Sequence, residues 1–223
     1  MIPLVQNALL EIYDLGGPVV LMMLAVSILT MAVVLYKLWQ FSAAGVGRHR
    51  ALKRAIQAWD AGSPKQAVEE LQASSSFLAP VVRMGFVQVV DRTRLETEAE
   101  TRFAKLEGGF RILDSVAQLS PLLGLFGTVL GMISAFQALQ DAGSQVDPSI
   151  LAGGIWVALL TTAVGLVIAM PTTIVLSWFE ARLDRDRVLA GQAIASILSP
   201  SSSSNADQTQ ATQKSTLTAA VHA

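Results

Sequence analysis

Two long stretches without a charged residue, 115–140 and 148–179, are joined by seven residues from Asp141 to Asp147. No other feature constrains this chain as strongly. Each stretch exceeds the roughly 20 apolar residues that a helix needs to cross about 30 Å of hydrocarbon. Soluble cores seldom leave runs of that length uncharged, so the pair predicts a transmembrane hairpin.

The small and polar residues inside the hairpin say more than its length. In the first run Gly124, Thr128, Gly131 and Ala135 recur at helical spacing, and Gly127 lies beside them. In the second run Ala158, Thr162, Gly165 and Ala169 do the same. Small residues on one face let helix backbones approach closely, which is how membrane helices associate. Thr128 and Thr162 add a hydroxyl to each small face. A threonine in a membrane helix commonly bonds the carbonyl four residues back, so residue type alone leaves two readings open: helix packing and pore lining.

Composition excludes several function classes. Of the 223 residues 52% are hydrophobic, and mean hydropathy is +0.50, which places the chain in the membrane class. The net charge of −1 gives no basis for nucleic-acid binding. With no cysteine there is no disulfide, thiolate metal site or cysteine nucleophile. The two histidines, His49 and His222, lie far apart in sequence, and no HExxH, P-loop or GxSxG motif occurs. We therefore expect no catalytic residues, no bound metal and no cofactor.

The chain divides in order as follows. Residues 1–17 form an N-terminal segment with Glu11 and Asp14 and no cation, ending at the helix-breaking Gly16-Gly-Pro18. A positively charged leader is missing, so 18–38 reads as a retained first membrane helix, closed by Lys37 and Trp39 at the interface. Residues 39–113 read as a helical domain. A first helix from Arg48 to Trp59 turns Leu52, Ala55, Ile56 and Trp59 to one side. A second starts at Pro64 with Ser63 as N-cap, and a third runs from Ala79 through Val90. From about Thr93 an amphipathic helix carrying Leu95, Ala99, Phe103, Leu106 and Phe110 continues into the next span, bent at Gly108-Gly109. Its charges read as a solvated face. The second and third membrane helices are 114–140 and 149–178, with 141–148 as the loop between them. The third continues through 179–198 with Leu183, Val188, Leu189, Ile194 and Ile197 as a packing stripe. Residues 199–223 are Ser-, Thr-, Gln- and Ala-rich and read as a disordered tail.

Topology follows from the cations. Of 16 Lys and Arg, 15 fall in 37–111 or 182–187, and the other is Lys214. By the positive-inside rule the N-terminus and the 141–148 loop are outside, and 39–113 and the C-terminus are cytoplasmic. The expected fold is an all-α membrane protein with three transmembrane helices, N-out and C-in, and long cytoplasmic helical extensions.

The segments Leu122-Leu-Gly-Leu-Phe-Gly-Thr-Val-Leu-Gly-Met132 and Gly153-Gly-Ile-Trp-Val-Ala-Leu-Leu-Thr-Thr-Ala-Val-Gly-Leu-Val-Ile-Ala-Met-Pro171 resemble the MotA/TolQ/ExbB proton channel family, most closely its ExbB and TolQ branch. The resemblance implies a homopentamer around the single-span helices of an ExbD- or TolR-like partner. It also implies a bacterial inner-membrane location and proton-driven work on a TonB- or TolA-like protein that serves outer-membrane import or envelope integrity. It assigns Thr128, Thr162 and the adjacent Thr161 to the pore and proton pathway, together with Val157 at the position of the family's acidic residue. Pro171 matches the family's proline near the cytoplasmic end of the third helix, and Gly124, Gly127, Gly131, Ala158 and Gly165 serve as packing positions.

One position departs from the pattern. Where the ExbB and TolQ motif has an acidic residue, five positions before the second pore threonine, this chain has Val157. No Asp or Glu lies between 148 and 179. Three explanations stand: the partner's aspartate suffices, the chain conducts poorly and acts as a membrane scaffold, or the position has been substituted. Solute transport is disfavoured because three spans hold no inverted repeat.

Overall fold

The computed structural model describes residues 2–87, 90–142 and 147–200, with side chains from Gly17 onward. The helices among them are α1 (Ile2–Ala43), α2 (Arg50–Asp60), α3 (Pro64–Gln72), α4 (Ala79–Val87), α5 (Arg92–Glu107), α6 (Phe110–Asp141) and α7 (Pro148–Leu198). Among the described residues three segments are long and apolar enough to cross a membrane: Gly17–Ala43 within α1, α6 and α7. The disordered-tail reading falls on residues that, apart from Ser199 and Pro200, lie outside the described ones.

Glycines punctuate the helices. Gly17 takes φ 67° and ψ −170° and breaks the first turns of α1 from the rest, after which Pro18 opens the apolar segment. Gly109, at φ 93°, separates α5 from α6. The sequence pattern predicts one bent helix here. The structure shows a full break, because a left-handed residue has no place inside a right-handed helix. Ser63 occupies the N-cap of α3 but makes no side-chain capping bond; its carbonyl accepts from the Ala67 amide at 3.0 Å. Helix α4 ends at Val87 rather than Val90, and residues 88 and 89 lie outside the described ones.

Two compact units result, one from residues within 1–37 and 109–179, the other from 38–108 and 180–223. In the first, Val19, Met23 and Ile168 form a buried cluster flanked by Val116, Leu123 and Val164. Phe110 stacks on Phe179 at 5.7 Å, and the Lys37 ammonium lies 5.5 Å above the Phe110 ring. In the second, α2 and α3 pair through Leu52, Ala55, Ala67 and Leu71. Leu95, Ala99, Phe103 and Leu106 of α5 are all buried. Trp59 stacks on Phe86 at 4.2 Å.

The second unit corrects one expectation. Val188, assigned to the packing stripe of α7, is 63% exposed, while Asp186 is 4% exposed and buried in its place. The observed stripe runs Leu183, Asp186, Ala190, Ala193, Ile194 and Ile197, which keeps helical periodicity more closely than one through Val188. The charges of α5 stand mostly on its open face, as expected, and none of them is buried; Asp186 of α7 is the exception in this unit. Asp186 Oδ2 lies 2.8 Å from His49 Nε2, and His49 Nδ1 is 2.9 Å from the Ser76 hydroxyl. Arg187 bonds Glu107 at 2.6 Å and Glu100 at 3.2 Å, and its guanidinium sits 5.0 Å from the centre of the Phe103 ring.

Candidate functional site

The site is built where α6 and α7 lie closest, inside the first unit. Their seam is nearly free of side-chain bulk. A methyl group added at Gly165 would stand 2.6 Å from the Ser120 carbonyl oxygen, and one at Gly124 would stand 2.9 Å from the Thr161 carbonyl. A methyl at Gly127 would meet the Thr161 hydroxyl at 2.7 Å, and one at Gly154 would collide with Ala135. Gly131 faces Ala158 at 3.3 Å by the same measure. The two backbones touch along several helical turns, the close approach that small residues permit in lipid.

The hydroxyls divide by their place on this seam. Thr161 is at its centre, 1% exposed. It donates to the carbonyl of Ala158 at 2.7 Å, with the Gly124 carbonyl of the other helix at 3.2 Å. Thr162 is half-buried at the flank, its hydroxyl 3.4 Å from the same Gly124 carbonyl. Thr128 is half-buried on α6 and donates to Leu125 O at 2.6 Å, three residues back rather than four. Sequence spacing placed Thr128 and Thr162 on the small faces. The structure gives the centre to their neighbours Gly127 and Thr161 and leaves Thr128 and Thr162 at the edges. Ala158, Gly165 and Ala169 are buried. Pro171 is exposed and lines a hollow of about 130 Å³ with Ser27, Thr30 and Thr172.

Val157 lines a larger cavity of about 440 Å³ with Leu130, Gly131, Ser134, Gly154 and Thr161. Of its lining residues only Ser134 and Thr161 are polar, and none is a carboxylate. Space for a longer side chain at position 157 is therefore present.

Sequence reasoning missed the buried polar cluster of the second unit. His49, Ser76 and Asp186 come from three separate segments and are 6%, 4% and 4% exposed. His49 Nε2 accepts from the Gly47 amide at 3.0 Å and lies 2.8 Å from Asp186 Oδ2, an oxygen that has no hydrogen-bond partner among the described residues. Nδ1 is 2.9 Å from the Ser76 hydroxyl, whose oxygen also takes the Leu78 N–H at 3.2 Å. The residue types are those of an acyl-transfer triad, but at such burial no substrate reaches the serine. The cluster is a clasp. Nothing in the spacing of His49, Ser76 and Asp186 signals it.

Residues 65–189, more than half of the chain, match the MotA/TolQ/ExbB proton channel family. The chain is similar to the biopolymer transport protein exbB1 of Vibrio cholerae, with 32% identity over 154 residues, 65% of this chain and 67% of that protein. It is similar to the biopolymer transport protein ExbB of Salmonella typhimurium, with 30% identity over 105 residues, 47% of this chain and 43% of that one. It is also similar to the Tol-Pal system protein TolQ of Pseudomonas aeruginosa, with 41% identity over 78 residues, 35% of this chain and 33% of that one. The family match takes in α6 and the part of α7 that forms the seam, with Thr128, Val157, Thr161 and Thr162 inside it. An all-helical chain with three membrane-length apolar segments, a small-residue seam and this match belongs to the MotA/TolQ/ExbB proton channel family.

Proposed function

We propose that this chain is the multi-span subunit of an ExbB/TolQ-type motor in the bacterial inner membrane, oriented N-out and C-in. Five copies surround an ExbD- or TolR-like single-span partner. Proton flow through the complex drives work on a TonB- or TolA-like protein. One observation supports this reading most: Thr128 and Thr162 are left half-buried at the edges of a seam that Gly127 and Thr161 already fill. Hydroxyls in that position remain open to a further helix, and an intramembrane carboxylate on such a helix needs polar neighbours of this kind. One elementary charge crossing 100 mV is worth about 2.3 kcal/mol, so a few protons supply useful work. Thr161 contributes by holding α6 and α7 together rather than by facing the pore.

A second reading, a non-conducting scaffold for its partners, is favoured by Val157 and by the absence of a carboxylate from the cavity it lines. The test is proton uptake into liposomes that hold the chain with its single-span partner. The motor reading expects flux from the native complex and loss of most of it in Thr162→Val. Flux that appears only in Val157→Glu sinks the motor reading for this chain and leaves the scaffold.

A further inference from the structure

No acidic residue lies between Asp14 and Asp60, and Gly47-Arg-His-Arg-Ala-Leu-Lys-Arg54 places four cations in that acid-free stretch. Arg54 is paired with Glu70 at 2.9 Å. Arg48, Arg50 and Lys53 are exposed, and among the described residues no carboxylate pairs with them. The three are held in place. His49, between the two arginines, is buried in the clasp with Asp186 and Ser76, and pinning the middle residue fixes the segment that carries its neighbours. Leu52 and Ala55 bury one side of α2, so Arg50 and Lys53 stand on its open side. Gly47, at φ 80°, leaves room that the Arg182 guanidinium fills, and any side chain there would collide with it. Arg182 therefore joins the same cluster.

Chain connectivity keeps the cluster near the bilayer. Arg182 comes three residues after the uncharged run 148–179. Arg48 follows the end of α1 at Ala43 by five residues, a reach of at most about 18 Å even if fully extended. Cations clustered next to a membrane span are attracted to the negative surface of an anionic leaflet.

We propose that Arg48, Arg50, Lys53 and Arg182 form a docking surface for the phosphate-bearing headgroups of anionic phospholipids. The assignment to the cytoplasmic leaflet rests on the orientation given above; the binding itself does not.

The test uses the full chain in nanodiscs of phosphatidylcholine with about one tenth phosphatidylglycerol, comparing the immobilised fractions of spin-labelled phosphatidylglycerol and phosphatidylcholine. The native chain is expected to enrich the anionic lipid about five-fold, the factor that corresponds to about 1 kcal/mol for a surface cation. Enrichment should fall toward none in about 1 M salt, where the screening length shrinks to about 3 Å. Arg48→Gln/Arg50→Gln/Lys53→Gln should lose it, Arg48→Lys/Arg50→Lys should keep it, and Arg92→Gln/Arg94→Gln should leave it unchanged. The lysine pair and the salt series decide the matter if the glutamine variant fails to fold. The proposal is overturned if the native chain shows no enrichment, if the folded glutamine variant retains it, or if the Arg92/Arg94 variant loses it equally. Competition by inorganic phosphate at millimolar concentration would also overturn it, since the site would then be one for free phosphate. Proton flux is not read, so this outcome is independent of the motor reading.

Discussion

Thr161 has one hydroxyl and two carbonyls within its reach, on α7 and on α6. Replacing it with valine keeps the shape and removes the bond across the seam. Interhelical hydrogen bonds in membranes average about 0.6 kcal/mol and reach about 1.7, so Thr161→Val is expected to lower stability by about that much, measured by unfolding in mixed micelles. Gly127→Val is expected to be far worse, because even one added carbon meets the threonine at 2.7 Å. A second residue-scale effect lies at the start of α7, where the Asp147 carboxylate accepts the Ser149 amide at 2.9 Å. That bond holds the Asp147 carboxyl below its ordinary range. A depressed carboxylate stabilises above its unfolded pKa and loses that contribution as pH falls through the folded one. The first amides of α7 should therefore lose protection, measured against their intrinsic exchange rates, as the pH falls, and Asp147→Asn should flatten the dependence. Reading these residues from sequence worked up to the choice between neighbours. Gly127-Thr128 and Thr161-Thr162 both offer a small or hydroxylated residue at adjacent positions, 100° apart on the helix. Which of each pair meets the other helix depends on the partner's surface, and no pattern within one helix encodes that.

Among the elements, α5 and α6 illustrate how one dihedral angle overrides a pattern. Leu95, Ala99, Phe103, Leu106 and Phe110 follow helical spacing without a gap, and all are buried, yet Gly109 splits the helix that carries them. A Cβ there would stand 3.1 Å from the Lys37 side chain at φ 93°. Gly109→Ala is expected to cost about 1–2 kcal/mol, the penalty of a left-handed residue with a side chain, visible as a lowered unfolding midpoint. The α7 stripe was legible for Leu183, Ile194 and Ile197 and wrong at Val188. Sequence reasoning sends aspartate to solvent, and here a histidine from a distant loop meets it instead. His49→Ala would leave the Asp186 carboxylate buried without its ring partner. Removing a polar neighbour from a buried group typically costs about 1–3 kcal/mol, so the amides around Asp186 should lose protection from hydrogen exchange well before those of α6. Asp186→Asn, which removes the charge along with the pair, should cost less.

At the scale of the whole molecule, the bilayer made the sequence readable. A hydrocarbon layer demands about 20 apolar residues in a row, and that demand left three segments in plain view. Oligomeric state and partners have no such local signature, because they are written on the outward faces of several helices at once. Exposed Leu122, Phe126, Val129 and Phe136 on α6 suit lipid and a neighbouring subunit equally. If the proposed motor reading holds, the 23.7 kDa chain, purified with the single-span partner proposed for it, is expected to form a particle holding five copies. A monomer or dimer by native mass spectrometry would remove the basis for the motor.

The aspartate within the apolar stripe of α7 has one more consequence. A helix faced only with alanine, leucine and isoleucine can slide by one turn or roll by one residue and still bury oil against oil. The same movement here would strand a carboxylate away from its imidazole. The Asp186–His49 contact therefore works as an indexing key: it admits one axial and rotational setting of this part of α7 and rejects its near neighbours. Replacing both residues with alanine and leucine should leave the second unit folded while loosening its alignment. Cysteine pairs that cross-link at a single position in the native chain would then cross-link at two or more.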